Sequence, residues 1–272
     1  MTPVTAALQI YAESAREALK GLPRSAWAII WLVLAHIIID VFERYVLIPV
    51  ASHNAGNGFL LGFVHFIIEC TLIGIYLRLV EIGVAGRRRV SFSDISESIG
   101  SYYSPVASVL FILFIVSWVL LPTPGPLRMA FMVVSTLVFN PMPEQVYQDN
   151  AYGMDLLQSG AKFMQNNWPE WLAAHAIAAF ILVFFGISYG RGGMSFALGE
   201  WMLEIFGPYC GFIGAARFSF FEASRGTGGI IAGAALLLFV HTFMLFRGHL
   251  YSRLSKSSRR SRVWQARMRG DN

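Results

Sequence analysis

Long apolar stretches constrain the fold of this sequence more than any other feature. A helix needs roughly 20 largely apolar residues to cross a bilayer, and six stretches come close to that length. Charged residues make up 14% of the 272 residues, whereas they make up about a quarter of an ordinary soluble domain. The sequence therefore predicts an all-α integral membrane protein with six transmembrane helices. These comprise residues 27–50, 58–80, 105–121, 127 to about 140, 171–189 and 228–246.

The fourth apolar stretch is shorter than the others and runs into the segment NPMPE at residues 140–144. Proline lacks a backbone N–H donor, and its ring clashes with the preceding helical turn. We therefore expect the fourth helix to break near Asn140 or to continue beyond a kink.

Two segments have the pattern of amphipathic helices that lie along a membrane surface. The first is the N-terminal segment 1–25, and the second is the segment 152–168, which we expect to end where Pro169 opens the fifth span. The apolar face of the first is formed by Leu8, Ala12, Ala15 and Leu19. The apolar face of the second is formed by Met154, Leu157, Ala161, Met164 and Trp168.

Two other connections are also expected to be ordered. Ser93 and Asp94 resemble a helix start between the second and third spans, and Pro105 is expected to open the third span. Segments 194–206 and 209–221 are each too short to cross a bilayer, and Gly207-Pro208 separates them. We interpret the region from about 190 to 225 as an interfacial or re-entrant hairpin on the outer side.

The distribution of basic residues predicts the orientation of the chain. Segments retained in the cytoplasm carry an excess of Lys and Arg. With the N-terminus inside, fifteen basic residues fall on the inner side and four on the outer side. Both termini are therefore expected in the cytoplasm, with a surface helix at 1–25, a membrane domain at 26–246 and a basic tail at 247–272.

Basic residues close to the spans are expected to contact anionic lipid headgroups at the cytoplasmic face, at about 1 kcal/mol each. Nucleic acid is not an expected partner of the tail, because the tail adjoins a membrane span. A partner in a membrane complex or a second copy of the chain is compatible with the sequence. The residues assigned to lipid contact are Arg87, Arg88, Arg89, Arg259, Arg260 and Arg262.

Two histidine–carboxylate pairs lie inside apolar stretches. His36 precedes Asp40 by one helical turn in the first span, and His65 precedes Glu69 in the second. A rise of about 1.5 Å per residue sets His36 level with Glu69 and Asp40 level with His65 in an antiparallel pair. The sequence thus predicts crossed pairing between the two spans.

More polar side chains extend this predicted interior. Glu43 and Arg44 share the polar face of the first span, and Arg44 can neutralise a carboxylate there. Asn140, His175 and His241 are expected roughly 6 to 10 Å from the inner edge, where Glu144 can join them.

The chemistry of the crossed pairs leaves four alternatives open. Ionisable groups at bilayer depth find partners or mark pathways and sites. They can hold the helices together by hydrogen bonds, or exchange protons as part of a proton or ion pathway. His36, Asp40, His65 and Glu69 also have ligand atoms for a metal ion, which is not favoured because the spacing matches no specific signature. Hydrolysis within the membrane would need such a metal or an activated serine.

The layout resembles that of a loose group of bacterial inner-membrane proteins. It combines an amphipathic N-terminal helix, six spans, a proline-interrupted fourth span and the sequence LLQSGAKFMQNNWPEW at residues 156–171. The group includes the membrane domain that is fused to some glycerophosphoryl diester phosphodiesterases. The resemblance implies the architecture of a multi-pass protein of the bacterial inner membrane. It implies no activity.

These observations predict a non-enzymatic membrane role. The chain would move or accommodate a small solute, proton or lipid, or act as a subunit of a membrane assembly. The alternative is a metal-dependent intramembrane enzyme that uses His36, Asp40, His65 and Glu69. No cofactor is specified by the sequence.

The predicted orientation can be tested with topology reporters. Fusions after Lys162 and Arg269 should report the cytoplasm, and fusions near Asn54 and Arg225 should report the outer side, because of the basic asymmetry. A C-terminal fusion that reports the outer side would contradict the count of six spans.

Overall fold

The computed structural model describes residues 3–53, 55–86, 88–120, 126–127, 139–189 and 227–256. Over these residues the chain is helical and contains no β-strand, so the predicted all-α class is confirmed for them. Most of the fourth apolar stretch, the outer hairpin and the tail beyond 256 lie outside the described residues.

The described residues form a series of helices. The main ones are α1 (Pro3–Gly21), α2 (Trp27–Phe42), α3 (Ile48–His53), α4 (Ala55–Ala85), α5 (Phe92–Leu120), α6 (Met142–Asp149), α7 (Gly153–Tyr189) and α8 (Thr227–Ser255). A 3-10 turn at Leu22–Arg24 follows α1, and a π-helical segment at Glu43–Leu47 joins α2 to α3. The amphipathic segment 152–168 and the fifth span therefore belong to one helix, α7.

Pro105 and Pro169 lie inside α5 and α7, whereas we expected each proline to begin a helix. Proline is merely favoured in the first turn, and long membrane helices tolerate it when nearby groups satisfy the backbone. The Ser108 hydroxyl donates to the Pro105 carbonyl at 2.7 Å, one turn after the proline. At about 1.5 Å per residue, α7 is roughly 55 Å long and exceeds the hydrocarbon core of a bilayer.

The Asp94 side chain caps the start of α5, which begins at Phe92, one residue before the expected start at Ser93. The Asp94 carboxylate accepts a hydrogen bond from the Ser91 backbone N–H at 2.7 Å and pairs with Arg88. Burial raises the pKa of Asp94, but the hydrogen bonds from Ser91 and Arg88 outweigh it and hold the pKa below its ordinary value. The carboxylate is therefore ionised and closes the turn between α4 and α5.

The surface helix α1 packs mainly against α8. Its buried face is formed by Ala6, Ser14, Ala18 and Gly21, and Tyr11 donates to the Glu170 carbonyl of α7 at 2.5 Å. Leu8 and Leu19 on the predicted apolar face are 56% and 61% exposed. Small side chains thus form the fully buried face of α1, Ile10 and Tyr11 pack partly against the core, and Leu8 and Leu19 stay exposed.

Close packing near the C-terminal end of α4 depends on glycine. A Cβ on Gly21 would lie 2.7 Å from the Gly83 carbonyl oxygen, so the backbones of α1 and α4 approach each other here. Such small-residue contacts let membrane helices come together closely.

One part of the bundle has the length and composition of a membrane span. Among the described residues, Leu60–Ala85 of α4 meets both requirements. The bent pair Thr5–Arg24 and Trp27–Val50, with an angle of 76°, meets them if it is counted as one span. Among the described residues, one helix is thus long and apolar enough to cross a membrane, or two if the bent pair is one span.

The glycine contact predicts a position-specific effect of adding one methyl group. Gly21→Ala should destabilise the detergent-solubilised protein by about 1–3 kcal/mol, because the opposing atom is backbone and cannot turn away. Gly100→Ala is the control, since its Cβ would meet nothing within 4 Å, and it should be neutral or stabilising by up to about 1 kcal/mol. Thermal unfolding measures both, and equal shifts would show that the contact is absent.

Candidate functional site

An ion pair in the interior joins α6 to α8. Arg247 Nη2 lies 2.8 Å from Glu144 Oε2, and both side chains are 0% exposed. Removing two charges from water costs several kcal/mol per ion, so such pairs persist only with additional hydrogen bonds. The pair is therefore the most demanding electrostatic feature of the described residues.

Aromatic and amide groups surround the guanidinium. Arg247 Nη2 also donates to the Asn140 carbonyl at 2.7 Å. The Trp171 indole N–H donates to Asn140 Oδ1 at 2.8 Å, and its ring centroid lies 5.5 Å from Arg247 Cζ. The His175 ring lies 4.9 Å from the Trp171 ring at an angle of 45°, and its Nδ1 lies 2.8 Å from the Trp171 carbonyl, which assigns the proton to Nδ1. The structure thus brings Asn140, Glu144 and His175 together around Trp171 and Arg247.

The short helix α6 has two chemically different faces. Glu144 and Gln148 contact α8, where Gln148 Nε2 donates to the Gly248 carbonyl at 2.8 Å. The Tyr251 hydroxyl donates to Asp149 at the end of α6. The opposite face lines an apolar cavity of about 20 Å³. The cavity is bounded by Ile73, Leu77, Val106, Val109, Leu110, Met142, Pro143 and Val146.

His241 belongs to a separate polar contact, although it was predicted at a similar depth to Asn140 and His175. Its Nε2 lies 2.9 Å from Ser25 Oγ, and its Nδ1 lies 3.5 Å from the Tyr76 hydroxyl. The imidazole therefore joins α8 to α4 and to the turn after α1.

A third polar group lies near the predicted crossed pairs. His65 of α4 has Nε2 3.3 Å from Glu43 Oε1 and Nδ1 3.9 Å from Glu69 Oε1. The side chains of His36 and Asp40 lie outside the described part of the chain, so crossed pairing with Glu69 and His65 stays a prediction. Arg44 is exposed.

His65, Glu69 and Tyr76 share one face of α4. Positions four and eleven residues apart differ by about 40° and 20° around a helix, and these side chains span roughly 16 Å along its axis. Leu72 lies on the same face between Glu69 and Tyr76 and is buried. Two polar groups are thus aligned along α4. One contains His65, Glu69 and Glu43, and the other contains Tyr76 and His241.

Metal coordination has no preformed site among the described side chains. No group of three or more His, Cys, Asp or Glu there is arranged to hold an ion. The proposed ligands His36 and Asp40 are not among the side chains covered by that statement.

The residues predicted to contact anionic lipids are only partly described. Arg88 is half exposed and pairs with Asp94, and Arg89 is exposed. Arg87, Arg259, Arg260 and Arg262 lie outside the described residues.

Two charged groups of the interior were not singled out from the sequence. Arg247 was assigned to the start of the tail, whereas α8 continues to Ser255 and buries it. Arg78 contacts Glu81 at 2.6 Å and Glu97 at 3.3 Å, which joins α4 to α5. If the last apolar helix is extended past residue 246, Arg247 lies one helical turn before Tyr251, on the same buried face of α8.

No family model, no curated protein and no solved structure matches this chain.

The buried pair predicts strong coupling between two substitutions. Arg247→Met or Glu144→Leu alone should destabilise the protein by about 3–5 kcal/mol, because each leaves an uncompensated buried charge. The double variant should lose much less stability than the sum of the two single losses, since it removes both charges. Denaturant or thermal unfolding in detergent provides the free energies.

The control for this cycle is the ion pair between Glu13 and Arg253, whose side chains are 42% and 35% exposed. The same type of cycle on this pair should give a coupling of about 0–1 kcal/mol, because water already solvates both charges. Additive effects at Glu144 and Arg247 would contradict the buried pairing.

Proposed function

We propose that this protein is a six-span protein of the bacterial inner membrane with both termini in the cytoplasm. Its role is non-enzymatic: it moves or accommodates a small solute, proton or lipid, or acts as a subunit of a membrane assembly. The six apolar stretches, the basic asymmetry and the span-length segment Leu60–Ala85 support this proposal.

Proton movement is the role that the polar face of α4 supports best. His65 lies within 4 Å of carboxylate oxygens on both Glu43 and Glu69. An imidazole between two carboxylates can accept a proton on one ring nitrogen and release a proton from the other. This arrangement of His65 is the observation on which the proposal rests.

His241 extends the same face toward the inner side. It lies between the hydroxyls of Tyr76 and Ser25, which can donate to or accept from either ring nitrogen. Glu69 and Tyr76 are about 10 Å apart along the helix axis, with Leu72 between them. A proton crosses that distance only along water, so we expect movement to be gated by hydration near Leu72.

The membrane surface provides the proposed partners. The exposed Leu8 and Leu19 of α1 are suited to the interfacial region, and Arg16 and Lys20 on the same helix are suited to anionic headgroups. A second copy of the chain or another membrane subunit remains part of the proposal for the assembly role.

Proton movement is tested in liposomes that contain the purified protein and an enclosed pH indicator. A potassium gradient with valinomycin sets the membrane potential, and the indicator reports proton entry. We expect entry above that of protein-free liposomes, and a loss of most of the difference in His65→Leu and Glu69→Gln, because each variant interrupts the contact between imidazole and carboxylate.

Glu17→Gln is the matched control, because Glu17 forms an exposed ion pair with Lys20 and belongs to neither polar group along α4. It should leave the rate unchanged. Equal rates in protein-free and protein-containing liposomes would contradict proton movement and leave the assembly role as the proposal.

The metal-dependent enzyme remains the alternative, and metal content separates the two. An enzyme that uses His36, Asp40, His65 and Glu69 requires near-stoichiometric metal. Elemental analysis that finds about one bound metal per chain, lost in His65→Leu, would favour the enzyme over the non-enzymatic role.

A further inference from the structure

We propose that the interior between α6, α7 and α8 contains a binding site for ordered water at the Glu144–Arg247 pair. The site is separate from the polar face of α4, and the proposal is independent of proton movement there. Its residues are Glu144 and Arg247, with Trp171 beside them.

The hydrogen-bonding capacity of the pair exceeds what the protein satisfies. Arg247 uses Nη2 for both Glu144 and Asn140. Within the described chain, Arg247 Nε and Nη1 and Glu144 Oε1 are buried without a hydrogen-bond partner. A buried polar atom without a hydrogen-bond partner lowers the stability of the fold by about 1–3 kcal/mol, and by more when it is charged.

The chemistry of these atoms favours water over an ion. The charges of Arg247 and Glu144 compensate each other, so a bound anion or cation would leave one net charge in the interior. The guanidinium nitrogens require an acceptor, whereas the carboxylate oxygen requires a donor. Water is the smallest molecule that supplies both, and buried waters typically make about three such hydrogen bonds.

The two sides of α6 should therefore differ in hydration. The cavity on the other side, lined by Met142 and Val146, has a volume of about 20 Å³. This exceeds the ~10–15 Å³ that one water needs, but cavities lined by apolar side chains stay dry. Polarity, and not space alone, decides where water binds.

Radiolytic labelling in ¹⁸O-water tests this difference, because hydroxyl radicals formed from bound water label adjacent side chains even where bulk solvent has no access. Trp171 is 0% exposed and lies beside the proposed site, and Met142 is 2% exposed and lines the apolar cavity. We expect ¹⁸O on Trp171 and at least fivefold less on Met142, although methionine is the more readily oxidised residue.

The double variant Glu144→Leu with Arg247→Met removes the polar atoms and should reduce Trp171 labelling to the level of Met142. Unlabelled Trp171 in the unaltered protein, or equal labelling of Trp171 and Met142, would overturn the proposal. Persistent labelling of Trp171 in a folded double variant would also overturn it, because the water would then not depend on the pair. If the double variant does not fold, the comparison within the unaltered protein decides.

Discussion

The buried pair of Glu144 and Arg247 is the interaction on which the interior of this protein depends. α6 is eight residues long, and an isolated helix of that length is unstable in water. Its position comes from contacts with its neighbours: a polar face toward α8 and an apolar face toward α4 and α5. The ion pair requires α6 and α8 to stay together, because separation would leave two uncompensated charges in an apolar interior.

A second constraint is the use of small residues where helices meet. Gly21 contacts the backbone at Gly83, and a Cβ on Gly248 would lie 2.5 Å from the Tyr147 hydroxyl. These contacts bring α1, α4, α6 and α8 close enough for His241 to reach Ser25 and Tyr76. The polar groups of the bundle are therefore positioned by backbone proximity as much as by attraction between the groups themselves.

Periodicity and depth along the chain predicted much of what the structure describes. The helical class follows from the apolar stretches, and counting residues placed Asn140 and His175 at one level, where Glu144 was expected to join them. Arg247 was missed because a basic residue at the end of an apolar stretch is usually assigned to solvent, and only tertiary contacts show that α8 continues past it. Pro105 and Pro169 suggested helix starts, whereas α5 and α7 continue through them. The buried face of α1 consists of small residues, which hydrophobicity alone does not identify.

Thiol accessibility provides the most direct test of whether the ion pair holds α6 in place. Val146→Cys introduces a thiol on the face of α6 opposite Glu144, and native Cys70 in α4 is equally buried and serves as the internal control once Cys210 is replaced by serine. In membranes, maleimide should label neither thiol while Arg247 is present. In Arg247→Met it should label the cysteine at position 146 and leave Cys70 protected, because α6 has lost its ion-pair partner on α8 while the core around α4 persists. Continued protection of both thiols in Arg247→Met would contradict the account.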